Sequence, residues 1–340
     1  MNKVYFIADI AANHDGQLDR AKDLCLEAKL AGADAVKFQH FKAETIVSDK
    51  GFKDLNETSH QSKWNKSVYD VFDDAAVPLD LTDELVKYCK KIEVDFFTTP
   101  YDINYVDKLD QSVSMYKIGS GDITYFDMLK KVASKGKPVL LSTGASTLNE
   151  VMRAVGLIST YNVPIVLMQC NTNYTADEEN FKYINLNVLK TYANWFPDVI
   201  LGLSDHTLGH ETVLGAIALG AKYIEKHFTD DNNRIGPDHQ FSMNPVSWKM
   251  MVDSSRRLEL ALGSPIKKVE DNESETVVLQ RRSIRFNNDI KSGHIITKED
   301  ISYLRPCPTD AAPIHLPIIG CTYSGPDKLK GDYLQTTDIL

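Results

Sequence analysis

Charged and hydrogen-bonding side chains recur at the ends of short apolar runs in this chain. Asp9 closes the first run, Lys37 and Gln39 the second, and Thr99 the third. Lys117, Ser120 and Asp122 follow, then Ser142, then Thr172 and Tyr174. Ser204 and His206 end a seventh run, Glu225 and His227 an eighth, and Asp238 lies just beyond. Two lysines and several hydroxyls facing one space make an anion site, because lysine supplies charge and Ser/Thr supply directional hydrogen bonds. Two imidazoles can ligate a divalent metal in their neutral form. Asp9 and Asp122 can act as acid and base, or orient hydroxyls.

Each piece also has a plainer reading. A single strand-end lysine is usually a solvated rim residue. Two histidines on separate strands are more often unconnected than a metal pair. Asp205, in Ser-Asp-His-Thr, reads as a helix cap. Gly119-Ser-Gly121 reads as a tight turn, and His14 as a residue that holds the first loop. Trp195 and Trp248 sit in helical patterns and read as core. The set rises above these readings because nearly every run ends in polar residues, which a purely structural scaffold would not need.

The runs that carry these residues are 4–13, 35–40, 96–101, 115–122, 138–144, 165–171, 199–205 and 223–229. Most are nearly continuous in apolar residues, as expected of parallel strands buried on both faces. Helical periodicity fills the gaps at 18–32, 81–91, 103–109, 127–135, 148–161, 188–195, 211–220 and 247–262. Eight strand–helix alternations predict the α/β class and a TIM (β/α)8 barrel, with the site at the C-terminal strand ends. The segment 41–78, Lys-, Asn- and Ser-rich around 59–67, is too long for an ordinary βα loop and reads as a functional lid. The predicted barrel domain spans 1–262. A polar linker follows at 263–275, and then a small mostly-β domain at 276–340 with a short strand at 277–279. That last piece is small for an independent core.

Composition excludes several classes. The chain has 340 residues, 43% hydrophobic and 25% charged, which is ordinary for a globular protein and not for a disordered one. The net charge is −9, without a sustained Lys/Arg run, so no nucleic-acid partner is expected. No apolar run approaches the roughly 18 residues of a membrane helix, so no membrane partner is expected either. The apolar start runs straight into Asn13, His14 and Asp15 with no small-residue cleavage site, so no signal peptide is read. Five widely spaced cysteines without a CxxC fit a reducing cytoplasm.

Taken in order, the motifs resemble the N-acetylneuraminate (sialic acid) synthase family, the nonulosonate synthases. The matching pieces include Ala12-Asn-His-Asp-Gly16, Val36-Lys-Phe-Gln39, Tyr116-Lys-Ile-Gly-Ser-Gly-Asp122, Leu141-Ser-Thr-Gly144, Gly202-Leu-Ser-Asp-His-Thr207, Ile224-Glu-Lys-His-Phe-Thr229, Gly236-Pro-Asp238 and Ser242-Met-Asn-Pro245. The tail, with Asp289-Ile-Lys-Ser-Gly293 and Leu304-Arg-Pro306, resembles the SAF (antifreeze-like) domain.

The resemblance implies condensation of phosphoenolpyruvate with N-acetylmannosamine or a related N-acetylated aldose, and a divalent metal, Mn²⁺ or Mg²⁺. By position, His206 and His227 would hold the metal. Lys37, Lys117, Ser120, Ser142, Thr172 and Ser204 would surround phosphoenolpyruvate. Gln39, Thr99, Tyr174 and Asp238 would face the sugar, with Asp9 and Asp122 handling protons or orienting groups. A homodimer is implied, in which each SAF domain covers the partner's barrel mouth and brings Arg305 to the sugar's acyl group. The chain departs from the family at Asp9 and Asp122, where relatives often have Glu, at Thr172, often Asn, and at Thr175, usually Pro. A 2,4-diacetamido-trideoxy acceptor, giving a legionaminic- or pseudaminic-type acid, is the alternative. A non-catalytic carbohydrate- or ice-binding protein is a remote one.

Overall fold

The computed structural model describes residues 3–55 and 66–339. Among them, eight parallel strands close into a barrel: β1 (Tyr5–Asp9), β2 (Ala35–His40), β3 (Asp95–Pro100), β4 (Tyr116–Ile118), β5 (Val139–Ser142), β6 (Ile165–Cys170), β7 (Ile200–Asp205) and β8 (Tyr223–His227). β8 pairs back onto β1, so the barrel has no open edge. The strands are buried on both faces, which is why their apolar runs are continuous rather than alternating.

The helices between strands pack an apolar stripe onto the barrel. Leu18–Leu30 buries Ala21, Leu24, Cys25 and Ala28, spaced three or four apart. Its alanines keep the helix close to the sheet. Leu148–Ser159 starts on a Thr147–Glu150 capping box, and Pro245–Leu262 on an Asn244–Ser247 one, each cap worth about 1 kcal/mol. Trp248 is fully buried and packs edge-on against Phe228 at 5.6 Å. Trp195, expected in the core, is instead exposed: it is the last residue of Val188–Trp195, whose buried face ends at Leu189 and Tyr192.

Between β2 and β3 the described residues form short helices at Ala43–Ile46, Asp49–Asp54 and Val68–Ala75. Of the segment 41–78 read as a lid, residues 56–65 lie outside the described residues. The helix Leu79–Lys91 then leads into β3.

The chain divides into two compact units, Met1–Gly263 and Ser264–Leu340. In the second, β9 (Ser283–Phe286) pairs antiparallel with β10 (Ile301–Leu304). Its own core gathers Ile284, Phe286, Ile290, Ile296, Ile318, Tyr323 and Leu334. The strand expected at 277–279 is a helix, Ser274–Gln280. The turn Asp271–Glu273, closed by a Glu270–Glu273 box, feeds directly into it and outweighs the β-branched pair Val277-Val278. No helix among the described residues is long and apolar enough to cross a membrane.

Candidate functional site

Strand alternation sorts the polar residues into two sets. On β8, Glu225 and His227 line the cavity at the barrel mouth, while Lys226 between them is buried on the other face against Asp205 of β7. The Asp205 carboxylate accepts from Lys226 at 2.5 Å and from the Thr207 and Thr212 hydroxyls at 2.8 Å. Asp205 therefore braces the barrel wall rather than capping the helix after it. His14 accepts from the Gly16 amide at 3.0 Å and holds the first loop, outside the cavity.

The cavity, of about 300 Å³, collects Asp9, Lys37, Gln39, Thr99, Lys117 and Ser120 from the first four strands and the turn after β4. From the rest come Ser142, Tyr174, Ser204, His206, His227 and Asp238. Asp122 and Thr172 are not among its lining residues. Asp122 ends the turn Ser120–Asp122 at the rim, and its charge is felt by Tyr101 inside. Thr172 packs beside Gly144, where a Cβ would come within 2.5 Å of its methyl and 2.9 Å of the Ser120 hydroxyl. Only glycine at 144 lets these two loops meet, and its amide donates to Ser120 at 2.9 Å. Arg305 is exposed in the second unit.

Register brings the charges together. Asp9 is the cross-strand partner of both Lys37 and His227. Lys37 Nζ donates to Asp9 Oδ2 at 2.6 Å and to Thr99 at 3.3 Å. Lys117 Nζ donates to Glu225 Oε1 at 2.5 Å, and Ser204 donates to the same oxygen at 3.1 Å. All four ionised side chains are buried. Burial works against Asp9, yet Lys37, His227 and Lys117 together outweigh it and hold that carboxyl below the usual range. Burial likewise works against the Lys37 ammonium, but Asp9 and Glu225 hold it above its usual value. For Lys117 burial wins, aided by the like charge of Lys37, and its affinity for a proton falls.

Two polar atoms in this cluster, Ser142 Oγ and Glu225 Oε2, are buried without a hydrogen-bond partner. Such atoms are costly unless something polar arrives to meet them. The sequence places Glu225 at a strand end but assigns it no role. The signal for it was its place two residues before His227, on the same face of one strand.

The imidazoles decide whether a metal fits. His206 Nδ1 lies 2.8 Å from the Asn171 carbonyl, an acceptor, so Nδ1 carries the proton and Nε2 the lone pair. His227 Nδ1 is buried without a hydrogen-bond partner, 3.8 Å from Asp238 Oδ2, and its Nε2 lies 3.5 Å from Asp9 Oδ2. Burial pushes His227 below its usual pKa, toward the neutral form that ligates. The ring centroids are 5.3 Å apart. Among the described residues no group of three or more His, Cys, Asp or Glu is arranged to hold a metal. Two imidazoles at one cavity mouth are donors of the kind a divalent ion takes, although Cys170 and the Asn171 carbonyl, acting against burial, hold His206 above its usual pKa, away from the neutral form that ligates. Phe241 packs against His227 at 4.9 Å and Tyr174 against His206 at 4.3 Å, fixing both rings.

A closed parallel barrel with buried cations, carboxylates and orphaned polar atoms around a cavity at its C-terminal mouth is a (β/α)8 barrel whose polar groups gather where ligand sites of this fold lie. Residues 24–267 match the NeuB family. The chain is 36% identical over 313 residues to the N,N'-diacetyllegionaminic acid synthase of Campylobacter jejuni, covering 90% of this chain and 91% of that one. It is 31% identical to the human N-acetylneuraminate-9-phosphate synthase, over 87% of this chain and 81% of that one. The crystal structure of a sialic acid synthetase from Leptospira borgpetersenii superposes with a TM-score of 0.71 at 29% identity, covering 81% of this chain and 90% of that one. The chain belongs to the NeuB family.

Proposed function

We propose that the protein is a nonulosonate synthase, condensing phosphoenolpyruvate with an N-acylated aldose and water to give a nine-carbon 2-keto acid and phosphate. The observation that carries this reading is the pair of buried lysines, Lys37 and Lys117, in one cavity with an unpartnered Ser142 hydroxyl. Phosphoenolpyruvate has a phosphate and a carboxylate, and two fixed ammonium groups match them. Ser120, Ser142 and Ser204 add hydrogen bonds, and Glu225 keeps the lysines placed before the anion arrives.

C3 of phosphoenolpyruvate forms the new bond to the aldehyde carbon of the open-chain sugar, and the aldehyde oxygen becomes a hydroxyl. A divalent ion, Mn²⁺ or Mg²⁺, on His206 and His227 would supply Lewis acidity to that oxygen. The cation left at C2 takes up water, which gives its proton to a neighbouring carboxylate. The tetrahedral phosphate ester then collapses with C–O cleavage. Lys37 and Lys117 hold the anionic groups in line through these steps. Asp9 orients a sugar hydroxyl or the water, and Gln39, Thr99, Tyr174 and Asp238 position the sugar. Asp122 at the rim serves as a proton-handling group for the attacking water, and Thr172 supports Ser120 across Gly144. N-Acetylmannosamine is the first acceptor to test.

The proposal extends to a homodimer whose SAF-like domain brings Arg305 to the partner's site, and to a cytoplasmic location, which five unpaired cysteines support. The test is phosphate release on mixing the protein with phosphoenolpyruvate, Mn²⁺ and an N-acylated mannosamine. No release with any such acceptor would overturn the reading.

A further inference from the structure

On the synthase reading just given, we infer that Tyr101 is a further substrate-contacting residue, whose hydroxyl donates a hydrogen bond to an oxygen of the acceptor sugar. Register sets its place. Lys37, Gln39 and Phe41 alternate into the cavity from β2, and Thr99 and Tyr101 do so from β3. Gln39 is the cross-strand partner of Thr99. Phe41 and Tyr101 therefore stand together one layer further out, roughly 7 Å by strand rise. The Tyr101 amide donates to the His40 carbonyl at 2.9 Å, which carries the pairing past the end of β3. Phe41 meets the Tyr101 ring at 6.1 Å and the Phe72 ring at 5.5 Å. Phe72 belongs to the helix Val68–Ala75 and also lines the cavity, so Phe41 and Phe72 make an apolar wall beside the phenol.

The phenol reaches from β3 to the residue after β4. A Cβ built on Gly119 would come within 2.6 Å of the Tyr101 hydroxyl and 3.0 Å of its ring. Gly119 has φ −68° and ψ 154°, a conformation open to any residue. Room for the phenol, rather than backbone freedom, is what asks for glycine there. Gly119 follows Lys117 by two residues, and both line the cavity. The hydroxyl thus takes the place of a side chain at 119, one layer outward from Lys117. Among the described residues it has no hydrogen-bond partner, although a phenol drawn this far from water normally finds one. Burial, together with Tyr174 and the carboxylates of Asp122, Asp9 and Glu225, holds its pKa well above the ordinary value. It keeps its proton and is a neutral donor.

Height in the barrel decides which substrate it meets. Lys37 and Lys117, matched to the two anionic groups of phosphoenolpyruvate, are rooted at least one layer deeper. The acceptor has to approach phosphoenolpyruvate from the mouth, and so passes the layer of Phe41 and Tyr101. A sugar hydroxyl or an acyl oxygen supplies the lone pair that the phenol lacks.

The experiment is Tyr101→Phe in the full-length protein, which removes the hydroxyl and keeps the ring beside Phe41. Steady-state phosphate release is measured with Mn²⁺, phosphoenolpyruvate and N-acetylmannosamine, or another N-acylated mannosamine that the wild type turns over. At saturating phosphoenolpyruvate, kcat/KM for the acceptor should fall about 3- to 10-fold, the weight of one neutral hydrogen bond. The KM for phosphoenolpyruvate, and its Kd by calorimetry without acceptor, should stay within about twofold of wild type. The melting temperature should not fall, because the hydroxyl has no protein partner to lose. A merely structural hydroxyl would lower the melting temperature and weaken both substrates alike. Acceptor kinetics within about twofold of wild type, or an equal loss for phosphoenolpyruvate, overturns the inference and leaves the synthase reading intact. No phosphate release by the wild type with any acceptor removes the synthase reading and the inference with it.

Discussion

Glu225 Oε1 accepts from Lys117 Nζ at 2.5 Å, deep in the barrel, while the other oxygen of the same carboxylate has no partner. The pair is a preset arrangement. Lys117 is held by one oxygen, Lys37 lies 3.8 Å from that same atom, and the remaining oxygen waits for a donor. An ion pair this buried costs desolvation on both sides, so breaking it by removing one partner is more damaging than its presence is stabilising.

Lys117→Met and Glu225→Gln should each destabilise the protein by roughly 3–5 kcal/mol, because each leaves a buried group without its counter-charge. The double variant should fall short of the summed losses by about 1 kcal/mol or more. Denaturant unfolding of the four proteins checks this, and additive losses would mean the two side chains do not act on each other. In kinetics, Lys117→Met should raise the KM for phosphoenolpyruvate by about tenfold, the weight of one charged hydrogen bond, with a smaller change for the sugar.

Removal of divalent ions should abolish turnover, and Mn²⁺ should restore it. His206→Ala and His227→Ala should each weaken Mn²⁺ binding, measured directly by calorimetry, while the far-UV circular dichroism stays that of the wild type. Full activity in chelator-treated protein, or undiminished Mn²⁺ binding by both variants, counts against the two-histidine site.

Asp122 supplies a pH signature. Burial raises its carboxyl to about 6 from an ordinary 3.8. Between those values the folded state holds the proton that the unfolded chain has released, so stability falls as pH rises through that window. The penalty is complete above pH 6 and absent below pH 4. Asp122→Asn does not titrate, so it should be more stable than wild type by about 1–2 kcal/mol at pH 7.5, allowing for the group's partial exposure. The two melting curves should converge toward pH 4. A stability difference that stays constant from pH 4 to 8 would show that the carboxyl is not desolvated.

Much of this site was legible because a parallel barrel ties sequence to place. A polar residue at the C-terminal end of an apolar run must surface at the mouth, and alternation along β8 separates Glu225 and His227 from Lys226. What the runs could not show was the pairing across strands. Asp9 meets Lys37 and His227 through register between β1, β2 and β8, a relation set by barrel closure rather than by any local pattern. For the same reason Asp205 read as a cap until its partner, Lys226, was seen behind the strand. The wall of Phe41 and Phe72 was hidden for a different reason. It comes from an insertion whose helices are short and half-buried, and such helices are fixed by what they lie against rather than by their own periodicity.

Arg305 carries the last prediction. It lies exposed in the second unit, just past β10. Its planar fork suits an acyl carbonyl or a hydroxyl, and the proposed dimer would deliver it to the partner's barrel. Arg305→Ala and His206→Ala should each be nearly inactive alone. Mixed dimers of the two would then hold one barrel with an intact His206 that receives an intact Arg305 from the other chain. Activity should return to about a quarter of wild type: half the dimers are mixed under random exchange, and one site in each is whole. Action of Arg305 on its own barrel would leave every site in the mixture damaged, and no activity would return. Arg305→Ala with wild-type kinetics for every acceptor would remove the residue from the site altogether.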